Sequence, residues 1–114
     1  MKKIINTDKA PKAIGPYSQA VEANGTLYIS GQLPVDVATG KLVTGGVKEQ
    51  AEQCLKNIGH ILETAGYTFD NVVKSTCLLS DIAHFAEMNE VYARYYANDC
   101  PARAAFAVKA LPLG

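Results

Sequence analysis

Four short stretches hold more chemical detail than a generic fold requires: "AIGPYSQA", "YISGQLP", the asparagine of "MNEVY", and "PARAAF". They offer a phenol at Tyr17, a hydroxyl at Ser30, a carboxamide at Asn89 and a guanidinium at Arg103, all hydrogen-bonding groups. Gly15-Pro16 fixes a turn ahead of Tyr17. Gly31, between Ser30 and Gln32, lets the backbone run close to another group or take a conformation closed to other residues. Taken singly, the glycines read as turns or strand ends, Asn89 as an ordinary helix residue and Arg103 as a surface charge.

Standard reaction motifs are missing. The sequence has no G-x-x-x-x-G-K, G-x-G-x-x-G, G-x-S-x-G or H-E-x-x-H, hence no patterned phosphate cradle, nucleophile elbow or zinc site. His60 and His84 lie on helical segments without a patterned partner. Cys54, Cys77 and Cys100 are odd in number, widely spaced and free of metal-ligand spacing, which predicts reduced thiols. Cys54 falls on an apolar helix stripe and Cys77 on a strand, where a thiol serves packing. Nothing next to Cys100 would activate a thiolate.

The elements that must position these groups are legible from periodicity. "TLYISGQLP" is β-rich and follows Asn24-Gly25, with "SQAVEA" before the pair as its hairpin partner. From Val47 to Ala65 the apolar residues Val47, Ala51, Cys54, Leu55, Ile58, Ile61, Leu62 and Ala65 recur at steps of three and four. This predicts an amphipathic helix closed by Gly66. "NVVKSTCLLS" reads as a strand, and Asp81 opens a second helix. Phe85, Met88, Tyr92 and Tyr95 or Tyr96 recur along it as a core stripe, ending ahead of Pro101. A last strand is expected from Ala104 to Ala110, with Arg103 at its entrance. The order β-β-α-β-α-β, with two helices on one face of a sheet, predicts an α+β fold.

Length and charge set bounds on function. At 114 residues the chain fits a single domain, residues 1–114, with a core of its own. Eleven basic residues balance eleven acidic ones, which removes any net pull toward nucleic acid or a membrane surface. Lys2, Lys3, Lys9 and Lys12 form the one dense basic stretch and read as a solvated N-terminal segment. No run has the length of a signal-peptide core or a membrane span, which predicts a cytoplasmic protein.

In order and spacing, "AIGPYSQAV", "ISGQLPVD", "EQAEQCLKNI", "VVKSTCLLSDIAHFAEMNEVYARYY" and "PARAAFAVKALP" resemble the reactive-intermediate imine deaminases, the RidA/YjgF family, from about Lys9 onward. The resemblance implies a chorismate-mutase-like α+β fold assembled as a homotrimer with small-ligand clefts between subunits. It also implies cofactor-free hydrolysis of 2-imino acids such as 2-iminobutanoate and 2-iminopropanoate to 2-keto acids and ammonia. Arg103 is then the fork that holds the substrate carboxylate through two parallel hydrogen bonds, where lysine offers only a point charge. Tyr17 supplies a wall or hydroxyl, Ser30 and Gly31 contact the ligand through hydroxyl and backbone N–H, and Asn89 orients a neighbour.

Two departures from the family pattern stand out. Many members carry a cysteine where this chain has Ala105, so a thiol nucleophile is excluded at that position. The family also continues past "LPLG" with one more strand bearing a glutamate thought to position or deprotonate water, and the expectation is that this sequence is shortened there. The rival readings are a small-molecule sensor that uses the same cleft without turnover, or a holdase with exposed apolar surface. RNA cleavage would want a basic groove with stacking aromatics and an acid-base pair, which the balanced charge, absent Trp and unpaired histidines disfavour.

Overall fold

The computed structural model describes residues 1–114. Strand β1 (Lys3–Ile5) leads through a long loop to β2 (Ala20–Ala23) and β3 (Thr26–Ile29). Asn24 and Gly25 both take positive φ, 51° and 75°, the geometry of the tight primed hairpin turn expected from that pair. Register runs from Ala23 opposite Thr26 to Ala20 opposite Ile29, and β1 adds antiparallel on the other side of β2 with Ile5 opposite Ala20. Part of the lysine-rich start is therefore an edge strand rather than a solvated tail. Lys3, exposed on that edge, is a residue that discourages pairing with another chain.

After β3 the chain forms a small ribbon, β4 (Val35–Asp36) with β5 (Lys41–Leu42), turned at Gly40. Helix α1 then spans Val47–Ala65, the bounds the periodicity predicts. Its start is set by the Glu49 carboxylate, which accepts from the Gly46 N–H at 2.7 Å. That carboxylate folds back so closely that a Cβ on Gly45, itself at φ 114°, would stand 2.7 Å from it. Gly66 closes the helix at φ 87°: its N–H donates to Glu63 and that of Tyr67 to Leu62.

Strand β6 (Lys74–Leu79), helix α2 (Phe85–Tyr95) and strand β7 (Ala102–Ala107) form a β-α-β unit whose strands are parallel. Asp81 caps the short 3₁₀ turn leading into α2 by accepting from the Ala83 N–H at 2.9 Å. β7 begins and ends earlier than the alternation of apolar residues suggests, because β6 sets its limits. Ala102 donates to Val73 before the first pair, Lys74 with Ala102, and Val108 donates to Leu79 after the last. Arg103 is thus the second residue of the strand, opposite Ser75, not a residue at its entrance.

The expected β-β-α-β-α-β order is present with three short strands added, and hydrogen bonding divides the strands into three sheets: β1-β2-β3, β4-β5 and β6-β7. Helix α1 joins them. Its N-terminal half, through Leu55, shares a core with Leu79, Met88, Val91, Tyr92 and Tyr96 of the β-α-β unit. Its C-terminal half, through Ile61, packs on Ile5 and Ala20 of the three-stranded sheet and on Ala10 of the loop between β1 and β2. Fully buried Asn57 is the polar member of the helix's inward face. Its amide donates to the carbonyls of Leu33 and Val35, each at 3.1 Å, and so ties the β4 segment to the helix.

Candidate functional site

On α2, Phe85, Asn89 and Tyr92 follow at steps of four and three and share one face. Arg103 of β7 lies against that face. Its Nη1 donates to Asn89 Oδ1 at 2.6 Å, and its guanidinium carbon stands 4.9 Å from the centre of the Tyr92 ring and 5.3 Å from that of Phe85. Tyr92 is buried, and its hydroxyl is hydrogen-bonded to that of Ser75, the residue paired with Arg103 across the ladder. Burial pushes the Tyr92 phenol up, so the ring stays neutral beneath the cation.

Arg103 itself is exposed and makes no ion pair within the chain; beyond the bond to Asn89, its guanidinium N–H groups have no protein acceptor. A permanently charged planar fork is therefore held in place with donors open to solvent. The chemistry that suits it is recognition of a planar anion such as a carboxylate.

Ala105 is half-buried, two residues along the same strand and opposite Cys77. Cys77 does not offer a thiolate here, because burial raises its thiol more strongly than the Arg103 charge lowers it. Cys54 is pushed up to about 12, by burial first and by neighbouring Cys77 second, and donates to the Gln32 carbonyl at 3.2 Å. Both thiols are packing groups.

Tyr17, Ser30 and Gly31 form a second group. The Ser30 hydroxyl donates to the Ser18 carbonyl at 2.6 Å, and the Tyr17 hydroxyl, half exposed, accepts from the Ile14 N–H at 3.3 Å. Gly31 is exposed, with open space where a side chain would stand. The organising residue is Gln19, 4% exposed, whose amide nitrogen donates to the carbonyls of Thr7, Ala10 and Pro11 while its oxygen accepts from the Thr7 N–H at 2.7 Å. These bonds lay the loop between β1 and β2 along the sheet and set where Tyr17 emerges. No hydrogen bond joins this group to Arg103 and Asn89 within the chain.

Sequence reasoning missed Phe85, Tyr92 and Ser75 as neighbours of Arg103, and Gln19 as an anchor. The signal for the first two was present: Asn89 falls between Phe85 and Tyr92 in the helical period, which places the carboxamide on the aromatic stripe. Two open hollows of about 320 and 350 Å³, one around Asn6, Asp8, Lys12 and Gln19 and the other around His60 and Tyr67, include neither Arg103 and Asn89 nor Tyr17, Ser30 and Gly31 in their walls.

Comparison with known proteins fits this architecture. The family model described as Endoribonuclease L-PSP matches residues 7–114. The 2-iminobutanoate/2-iminopropanoate deaminase of Bos taurus is 59% identical over 114 residues, which cover 100% of this chain and 83% of the bovine protein. The protein of the same name from Homo sapiens is 55% identical with the same shares covered. Among solved structures, RidA from an Antarctic Psychrobacter superposes with a TM-score of 0.94 at 49% identity, covering 98% of this chain and 90% of that one. E. coli TdcF, solved with bound serine, gives 0.92 at 37% identity, covering 96% and 88%. The chain belongs to the Endoribonuclease L-PSP family, the RidA/YjgF group of reactive-intermediate deaminases.

Proposed function

We propose that this protein hydrolyses small 2-imino acids, 2-iminobutanoate and 2-iminopropanoate among them, to 2-keto acids and ammonia, with Arg103 holding the substrate carboxylate. The observation that carries the reading is the state of Arg103: fixed by Asn89 and two aromatic rings, unneutralised, and with donors left open. The names of the bovine and human relatives supply the reaction, and the serine bound in TdcF is itself a small molecule bearing a carboxylate.

In the reaction, water adds to the C=N carbon, a C–O bond forms, the C–N bond breaks and nitrogen leaves as ammonia. Two parallel hydrogen bonds to the carboxylate fix the adjacent imine carbon relative to the site, so orientation supplies much of the acceleration. Such imines also hydrolyse unaided in water, so few classical catalytic groups suffice. Tyr17, Ser30 and Gly31 line the ligand from the other side. With its hydrogen given to Ser18, the Ser30 hydroxyl offers lone pairs to the imine N–H.

The same reading takes the protein as a cytoplasmic homotrimer in which the Tyr17 group of one subunit meets Arg103 of the next. Two features support that assembly: the two groups share no hydrogen bond within one chain, and Tyr28, Leu78 and Phe106 on the strands stand 62%, 48% and 48% exposed.

A trapping assay tests reaction and residue together. A threonine dehydratase generates 2-iminobutanoate in the presence of semicarbazide, and semicarbazone formation is followed without addition, with this protein and with Arg103→Ala. The protein is expected to divert the imine from the trap. The variant is expected to lose about a hundred-fold in kcat/KM, the worth of two charge-assisted hydrogen bonds. Unchanged trapping together with measurable binding of 2-ketobutanoate would replace the deaminase reading with that of a non-catalytic sensor.

A further inference from the structure

We propose that Phe85 and Tyr92 are positioning residues that, with Asn89, form a cradle on α2 and set the plane in which Arg103 presents its fork. The inference rests on the reading of Arg103 as the carboxylate anchor. Phe85 and Tyr92 lie nearly two helical turns apart, with Asn89 between them, so a guanidinium in reach of both rings is brought onto the Asn89 carboxamide. Each contact removes a different freedom. The ring faces attract the cation and limit its tilt, while the Asn89 oxygen fixes rotation within the plane by engaging one N–H.

The chemistry of the cradle is also selective in what it leaves alone. Phe85, Tyr92 and Asn89 are uncharged, so none competes with an incoming carboxylate as an aspartate or glutamate would. The hydroxyl bridge to Ser75 ties the Tyr92 ring to β6 at the position opposite Arg103, so helix and strand are locked together at the arginine. An arginine on an exposed strand would otherwise lose rotamer freedom on every binding event. Here that entropy is lost when the protein folds, which favours tighter substrate binding.

The test compares Phe85→Leu, Tyr92→Leu and Tyr92→Phe with the unchanged protein. It uses KM and kcat from the trapping assay, the Kd of 2-ketobutanoate by calorimetry, and nitrogen NMR of the Arg103 guanidinium. Phe85→Leu is expected to raise KM and the 2-ketobutanoate Kd two- to five-fold, with kcat and melting temperature little changed and faster guanidinium rotation. Tyr92→Phe, which keeps the ring and drops the bridge to Ser75, should lose less than Tyr92→Leu. If buried Tyr92→Leu does not fold, half-buried Phe85 carries the test. Unaltered KM, Kd and guanidinium rotation in folded Phe85→Leu would overturn the cradle. An Arg103→Ala variant that binds 2-ketobutanoate normally would instead remove the anchor reading, while the NMR still reports whether the rings hold the guanidinium.

Discussion

Gln19 and Arg103 are both long polar side chains beside a β-ladder, yet the protein uses them in opposite ways. Every polar atom of the Gln19 side chain is engaged by the backbone of residues 7 to 11, and the residue is buried. Arg103 gives one N–H to Asn89, leans on two rings and remains exposed. Saturated bonding makes Gln19 an anchor for the loop that delivers Tyr17. Incomplete bonding, with the geometry already fixed, leaves Arg103 able to receive a ligand. A buried polar group left unpaired is costly, whereas an exposed one is satisfied by water until a better partner arrives.

The contrast is broken most directly at Gln19. Gln19→Ala leaves the half-buried Thr7 N–H and the carbonyls of Ala10 and Pro11 without partners. It should cost about 3 kcal/mol of stability in urea unfolding. A loss well under ~1 kcal/mol would show that water or a rearranged loop replaces the amide, and that Gln19 is not the anchor.

Asn89→Asp sharpens the other side. The substitution keeps the shape but places an anion on the guanidinium, so the fork is neutralised before substrate arrives. KM in the trapping assay should rise about ten-fold while the melting temperature holds or increases. Should Asn89→Asp melt as early as Gln19→Ala, the division between anchor and receptor would fail.

The remaining effect is confined to alkali. The Cys54 thiol has an ordinary value of 9.0 and is pushed up to about 12 in the fold, chiefly by burial. The folded state therefore keeps its proton while the unfolded chain loses it. The stability this contributes is complete below about pH 9 and declines as pH rises toward 12. Cys54→Ala should flatten that alkaline decline in melting temperature measured across pH 8 to 11. An equally steep decline in the variant would assign it to other groups, such as Tyr95, also raised to about 12 by burial and the Glu52 carboxylate.

Legibility followed the range of the interaction. Helix α1 is predicted to its end residues because the apolar stripe and Gly66 are local signals, and the β2-β3 turn because Asn24-Gly25 selects one geometry. The limits of β7 were misplaced because its own alternation says nothing about where β6 starts. Strands β1, β4 and β5 went unread because segments of three and two residues are held by pairing alone. Asn57 and Gln19 gave no sign of being buried, since a polar residue goes inside only when distant carbonyls meet it there.

The sequence by itself determined which chemistry was available: one arginine among alanines, an asparagine in phase with an aromatic stripe, no patterned metal or nucleophile site, and motifs that mark the family. Tertiary structure alone decided that Arg103 of β7 rests on Phe85, Asn89 and Tyr92 of α2. That contact depends on the parallel pairing of β6 with β7 and on α2 packing against them, and a helix's periodicity specifies its buried face without naming the side chain that will cover it.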